Sequence, residues 1–359
     1  MIHDLFKISP RLNVRSIARE VVAFVAYYAL AVAMFAVLAS SSLCHAQPAH
    51  PPIALDSIIA AAKGPIVLQA NSLYVLSATA NLKYSLDGNG STIDLPTNQT
   101  DFKAIAPDVT IARFVAPKAG LFFESAANHC GVENCKIGVG SPSGSVGQAF
   151  KTLPGGTNSF FTGNSVGVTT TVSIYFDESG VWCTDNTLAG SINEYAFRFD
   201  VPASGITQSG ATFSGNTVSN NNGCKDAGGV RQFFNVTMEG NTFTGDVRWG
   251  QVPGAGTPAT KSVGQFASGT VTGNHFTSNG MAISLVEVYQ GVSLRLNNNT
   301  FTNPLAPPVS ADTLSQITGG TNTEQAYAGA KAWEFFATSS KGKYAATGGD
   351  KMVTVPAAK

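Results

Sequence analysis

A short phrase recurs through the middle of the chain: an apolar residue, any residue, usually Gly-Asn, any residue, then a second apolar residue. It reads F-T-G-N-S-V around Asn164, C-T-D-N-T-L around Asn186 and F-S-G-N-T-V around Asn216. It returns as M-E-G-N-T-F at Asn241, V-T-G-N-H-F at Asn274 and L-N-N-N-T-F at Asn299, and an earlier version, V-E-N-C-K-I, has Cys135 in the Asn place. The two apolar residues of a phrase, such as Phe161 and Val166, stand an odd number of residues apart, so an unbroken strand would send them to opposite faces. Both reach one core only if the chain turns a corner between them, and Gly and Asn tolerate the positive φ of a tight corner. Each phrase therefore reads as strand, corner, strand. The spacing runs from 22 residues between Asn164 and Asn186 to 33 between Asn241 and Asn274. Unequal repeats of this kind suit a solenoid whose coils carry loops of different length, with the Asn side chains bonded in a ladder beside the core.

Composition agrees. With 37 glycines and only 12% charged residues in 359, the chain suits an all-β solenoid of short strands better than a helical enzyme. The formal net charge is zero and there is no basic run in the body, which excludes nucleic acid as the partner. Lys7, Arg11, Arg15 and Arg19 precede an uncharged apolar run from Val21 to Ala39, so residues 1–46 read as a signal peptide cleaved after Cys44-His45-Ala46 or as an uncleaved membrane anchor. In either case the body works outside the cytoplasm, secreted, periplasmic or anchored facing outward, and only this segment would meet a membrane. Cys130, Cys135, Cys183 and Cys224 remain in the body, with Cys130–Cys135 the local pairing option, and no Cys/His spacing suggests zinc.

The rest of the chain divides around the repeats. Residues 47–64 read as a linker and an N-terminal cap helix over Leu55 to Lys63, and residues 65–305 as the solenoid. Residues 306–338 read as a C-terminal cap with a helix from Thr323 to Ala337, and 339–359 as a flexible tail. A second element precedes most corners: G-L-F-F-E-S at 120–125, G-Q-A-F-K-T at 147–152, S-I-Y-F-D-E at 173–178, Y-A-F-R-F-D at 195–200, G-Q-F-A at 264–267 and L-V-E-V-Y at 285–289. Phe123, Phe150, Phe176, Phe199, Phe266 and Val288 are assigned inward, which sends their neighbours outward.

On these corners the chain resembles the pectate-lyase-like superfamily of single-stranded right-handed parallel β-helices, over about residues 65 to 305. The resemblance implies three sheets around one core, an Asn ladder at one corner and a cleft on the first sheet, here the F-x-F-E/D element. It rests on no catalytic signature. The N-T-D, G-H-G and R-I-K sequences of polygalacturonases, the D-P-H-D of alginate epimerases and the W-I-D-H of pectate lyases are all absent.

Outward positions then form two rows: Phe122, Ala149, Tyr175, Arg198, Gln265, Glu287, and Glu124, Lys151, Asp177, Asp200, Ala267, Tyr289. With coils ~4.8 Å apart, Tyr175, Asp177, Arg198 and Asp200 should share one patch. Three readings compete for it. In a lyase, Asp177 and Asp200 hold a Ca²⁺ against a substrate carboxylate and Arg198 or Lys151 abstracts the neighbouring proton, as the resemblance implies. In a glycoside hydrolase the two carboxylates act as acid and base. In a carbohydrate-binding or cell-surface structural protein, Arg198 bridges two acids and does nothing more. Two long insertions, 219–229 with Lys225 and Asp226 and 245–258 with Arg248 and Trp249, could wall the cleft, the Trp either as a platform for a sugar ring or as a cover over the core. His129 and His275 sit at turns and read as turn residues. The expectation is a lyase-type protein acting on an acidic polysaccharide, with Tyr175, Trp249, Arg248, Lys225 and Glu287 binding the chain.

Overall fold

The computed structural model describes residues 51–200, 207–220, 226–250, 267–289, 291–312, 315–327, 344–346 and 351–355. Residues 52–359 form one compact unit. The expected leader at 1–46 lies outside the described residues, as do Lys225, Gln265 and Cys224; among the described residues no helix is long and apolar enough to cross a membrane.

Among the described residues every strand pair is parallel; three long sheets hold all the strands but Gln208–Ser209 and Phe233–Phe234, which pair with each other. Sheet 1 has ten strands, from Ala80–Leu82 to Val309–Ala311; sheet 2 has twelve, from Ile66–Val67 to Tyr344–Ala346; sheet 3 has thirteen, from Ile53–Ala54 to Lys351–Val355. One coil runs Ala119–Ser125 in sheet 1, Gly131–Glu133 in sheet 2 and Lys136–Ile137 in sheet 3, then returns to sheet 1 at Val146–Thr152. This is the right-handed parallel β-helix the corners imply. Stacked rings fill its interior: Phe243, Phe276 and Phe301 follow one another with centroids 5.0 and 5.1 Å apart.

The recurring phrase is the corner between sheets 2 and 3. The residue before each ladder position takes the positive φ, as at Gly163 (66°), Asp185 (58°), Gly215 (64°) and Gly273 (64°). The Asn that follows is buried, and its amide is shared between coils. Asn186 receives the Asn164 N–H at 2.8 Å on Oδ1, and its Nδ2 donates to Asn216 Oδ1 at 2.9 Å and to the Phe161 carbonyl at 2.7 Å. The ladder begins where the Cys135 N–H donates to Asn164 and runs on to Asn322, one coil past the last phrase read from sequence.

The caps differ from one another. The N-terminal helix forms at Leu55–Ala61, with Leu55 buried against the first coil. At the other end Thr323–Tyr327, expected to open a helix, is a sheet 3 strand that pairs with Lys351–Val355. Residues 328–337 of that expected helix lie outside the described residues. The Tyr344–Ala346 and Lys351–Val355 strands also pair within sheets 2 and 3, where a flexible tail was expected. Cys130, Cys135 and Cys183 are buried free thiols, so the local Cys130–Cys135 disulfide does not form. Each serves a corner as a small apolar group, the Cys135 thiol at the ladder's first rung.

Candidate functional site

Sheet 1 supplies the outward row, and its register is set strand by strand. Lys103 pairs with Glu124, Glu124 with Lys151, Lys151 with Tyr175, Tyr175 with Arg198, Arg198 with Gly229, Gly229 with Arg248 and Arg248 with Glu287. The expected neighbours Tyr175 and Arg198 are therefore adjacent, whereas Lys151 stands opposite Tyr175 and not Asp177. The slip is two residues: Phe150 faces Ile174, not Phe176. Because the pleat repeats every two residues, such a slip changes a side chain's partner and leaves its face unchanged. Phe122, Ala149 and Ala267, expected outward, are buried.

Each of the two segments read as insertions carries a strand of this sheet, while 221–225 and 251–258 lie outside the described residues. Asp226–Arg231 pairs with Phe197–Asp200, and Asp246–Trp249 pairs with Asp226–Arg231 and Val286–Val288. Arg248 therefore joins the outward row. Trp249 points inward and is fully buried, so it is no platform for a sugar ring. Its indole lies over Gly269, where a Cβ would come within 2.4 Å of the ring.

Lys151, Tyr175, Asp177, Glu194 and Arg198 line one open groove of about 510 Å³, with Gln148, Leu153, Pro154, Thr171 and Val172 as its remaining walls. The Arg198 guanidinium lies 5.7 Å from the Tyr175 ring centre and 5.9 Å from that of Tyr195, within cation–π reach of both. It pairs with Asp200 and, at 3.5 Å, with Glu194. Asp200 also receives Arg231, through Nη2 and, at 3.1 Å, Nε. Asp177 is 2% exposed; its N–H donates to Thr152 Oγ1, and its Oδ1 is buried with no hydrogen-bond partner. Burial first and the charge of Asp200 second raise its pKa to about 6, against the pull of Lys151. Burial likewise raises Tyr175, which disqualifies that phenol as a ready base. Lys151 makes no ion pair among the described residues.

A Ca²⁺ held by Asp177 and Asp200 does not fit this arrangement. Two guanidinium groups already occupy the Asp200 carboxylate, Asp177 takes up a proton readily, and no group of three or more His, Cys, Asp or Glu is gathered for a metal among the described residues.

Two coils further along, a second charged cluster is nearly closed to water. Arg248 bonds Asp226 at 3.0 Å and Glu287 at 3.1 Å, lies 3.9 Å from Asp246, and donates to the Tyr195 hydroxyl at 3.5 Å. Both Asp246 oxygens are buried without a hydrogen-bond partner, and burial together with Asp226 and Glu287 raises the pKa of that carboxyl. Arg248, expected on a loop, thus sits beside Glu287 on sheet 1, and the two spend their charges on each other. Sequence reasoning missed Glu194, Tyr195, Arg231 and Asp246, and placed Asp226 on a loop. Glu194 had a signal in its position four residues before Arg198.

No protein-family model matches the chain, and no curated protein sequence matches it. Solved structures do. The surface protein and adhesin PfbA of Streptococcus pneumoniae is 11% identical, covering 80% of this chain and 88% of its own, with a TM-score of 0.53. A double mutant of the tailspike protein of E. coli bacteriophage HK620 is 13% identical, with a TM-score of 0.51; 85% of this chain is covered, and the match spans 62% of the tailspike chain. At such identities the likeness concerns the backbone alone, and it agrees with the three all-parallel sheets: the chain has the fold of the right-handed parallel β-helix proteins.

Proposed function

We propose that the protein works outside the cytoplasm on an anionic polysaccharide laid along the sheet 1 groove, and that it cleaves the chain with Asp177 as proton donor. One observation carries this reading: a single open groove holds both a cation without an ion pair, Lys151, and a carboxyl whose buried oxygen has no partner, Asp177. Lys151 would take a substrate carboxylate, and Tyr175 with Val172, Leu153 and Pro154 offers apolar surface to sugar rings. A carboxyl whose pKa is lifted to about 6 keeps its proton in mildly acidic solution and is suited to protonating a glycosidic oxygen there, and Glu194, also in the groove, is the candidate second carboxylate. The leader-like segment supports a place outside the cytoplasm, in line with the adhesin and the tailspike that share the fold.

Lyase-type elimination remains as a second reading, favoured by the unpaired Lys151 as base. Arg198 is unsuited to that role, because its guanidinium is taken up in ion pairs with Asp200 and Glu194. Incubation with a panel of polyuronates, followed by both reducing ends and the ultraviolet absorbance of unsaturated uronides, separates the readings. The expected result is new reducing ends without absorbance, reduced at least a hundredfold in Asp177→Asn. Absorbance abolished by Lys151→Ala establishes elimination instead. Binding with neither signal across the panel leaves a carbohydrate-binding protein and overturns the cleavage proposal.

A further inference from the structure

Glu178 follows Asp177 in sequence but serves the other side of the groove wall. It is fully buried, and its Oε1 accepts the Ser159 N–H at 2.7 Å. Its Oε2 is buried with no hydrogen-bond partner. Above it passes the turn that connects Val146–Thr152 to Phe160–Thr162, and Gly156 of that turn sits directly on the carboxyl. A Cβ at Gly156 would lie 2.5 Å from Glu178 Oε2 and 2.9 Å from the Ala127 carbonyl oxygen. Two acceptors thus converge on one buried point. As a carboxylate, Glu178 would leave that unbonded oxygen as a buried charge, relieved only when the turn lifts and water reaches it; as a carboxylic acid it carries no such penalty.

The turn's other bonds gather at its two ends, where the His129 N–H donates to the Thr157 carbonyl at 2.8 Å and Thr157 Oγ1 to Asn128 Oδ1 at 3.2 Å. The Leu153 N–H donates to the Ser125 carbonyl at 2.8 Å, the Asn158 N–H to the Ser179 carbonyl at 2.9 Å, and Thr157 bridges to Ser179. Leu153 and Pro154, at its start, are the apolar wall of the groove. We infer that Glu178 is a positioning residue for this wall: its neutral carboxyl seats the turn at Gly156, and its ionised form loosens it. The inference rests on the proposed role of the groove for its functional meaning, but not for its test.

The electrostatics agree with the geometry. Burial raises the Glu178 pKa from 4.5 to about 7, Ser159 opposes the rise, and the Asp177 charge adds to it. The other titratable group that feels it is the Cys130 thiol of the preceding coil, itself raised by burial and so uncharged at neutral pH. When the turn opens, Glu178 meets water and returns to its ordinary value. Opening should therefore become easier as pH rises from about 4.5 through about 7, and change no further above that.

Amide hydrogen exchange on the full chain tests this, read at Asn158 and Ser159 from pH 5 to 8 and corrected for the intrinsic pH dependence of exchange. Protection of both amides should fall by roughly tenfold or more between pH 5 and 7 and level off beyond. Glu178→Gln keeps the shape and accepts the Ser159 N–H without a charge that can appear; its protection should be high and independent of pH. Flat protection in the natural protein, or an unchanged slope in Glu178→Gln, overturns the inference. Binding of polygalacturonate, measured over the same range, should weaken with the protection in the natural protein and stay constant in Glu178→Gln. Polygalacturonate that fails to bind at any pH tells against the anionic-glycan reading, while the exchange result still decides the role of Glu178.

Discussion

Three carboxylates crowd the middle of sheet 1, and their surroundings give each a different character. Asp200 is clasped by Arg198 and Arg231. Glu178 lies under a turn with one oxygen unbonded. Asp177 alone meets the groove, with a pKa raised to about 6 by burial and by Asp200 and restrained by Lys151. A donor with that pKa works only while protonated, so the cleavage rate should decline as pH rises past about 6. The neighbours make the sign testable. Lys151→Met removes the restraining cation and should move this decline to higher pH, whereas Asp200→Asn removes the opposing charge and should move it lower, both read from pH–rate profiles. A decline that ignores both substitutions would remove Asp177 from the role of acid.

At the scale of strands, the closed cluster on sheet 1 behaves as a unit. Arg248 is the only cation bonded to Asp226 and Glu287 among the described residues, so Arg248→Met strands buried anions and should cost about 3–5 kcal/mol in chemical denaturation. Asp246→Asn, by contrast, should be close to neutral at pH 7, because an amide N–H can replace the proton the acid already holds. These two strands also mark where the sequence stopped being readable. The corners were legible because every coil repeats the same demand for positive φ followed by a buried amide. Asp226–Arg231 was not, because its inward place at Gly228 carries no side chain; the Phe197 ring of the previous coil fills that space, with atoms 1.9 Å from where a Cβ would stand. Asp246–Trp249 was hidden by its Gly- and Pro-rich continuation, which resembled one long loop. The patch of Tyr175, Asp177, Arg198 and Asp200 could be read because a constant offset joins those two strands. The walls of the groove could not, since Glu194 and the Leu153–Asn158 turn lie outside any repeat.

For the molecule as a whole, the buried acids act together. Burial raises Asp101 to about 8 and Glu178 to about 7, and Asp246 is raised as well. In each case the folded value lies above the unfolded one, so the stabilisation is complete below about pH 4 and is lost as pH climbs through the folded values. Asp87, lowered by its bond to Arg113, works in the opposite direction on an exposed edge and carries less weight. The thermal midpoint should accordingly be higher at pH 5 than at pH 8, measured at constant ionic strength; a midpoint that rises over that interval would contradict the burial of these acids. The Asn corner has a different kind of consequence. It spends one asparagine and one residue of positive φ per coil, and nothing in it depends on how far the chain wanders before coming back. Genetic drift is therefore free to rewrite most other positions and to lengthen or shorten the excursions between corners. A lineage of such chains would keep its architecture long after its letters had ceased to be comparable, and its chemistry would diverge fastest where an excursion overlooks sheet 1.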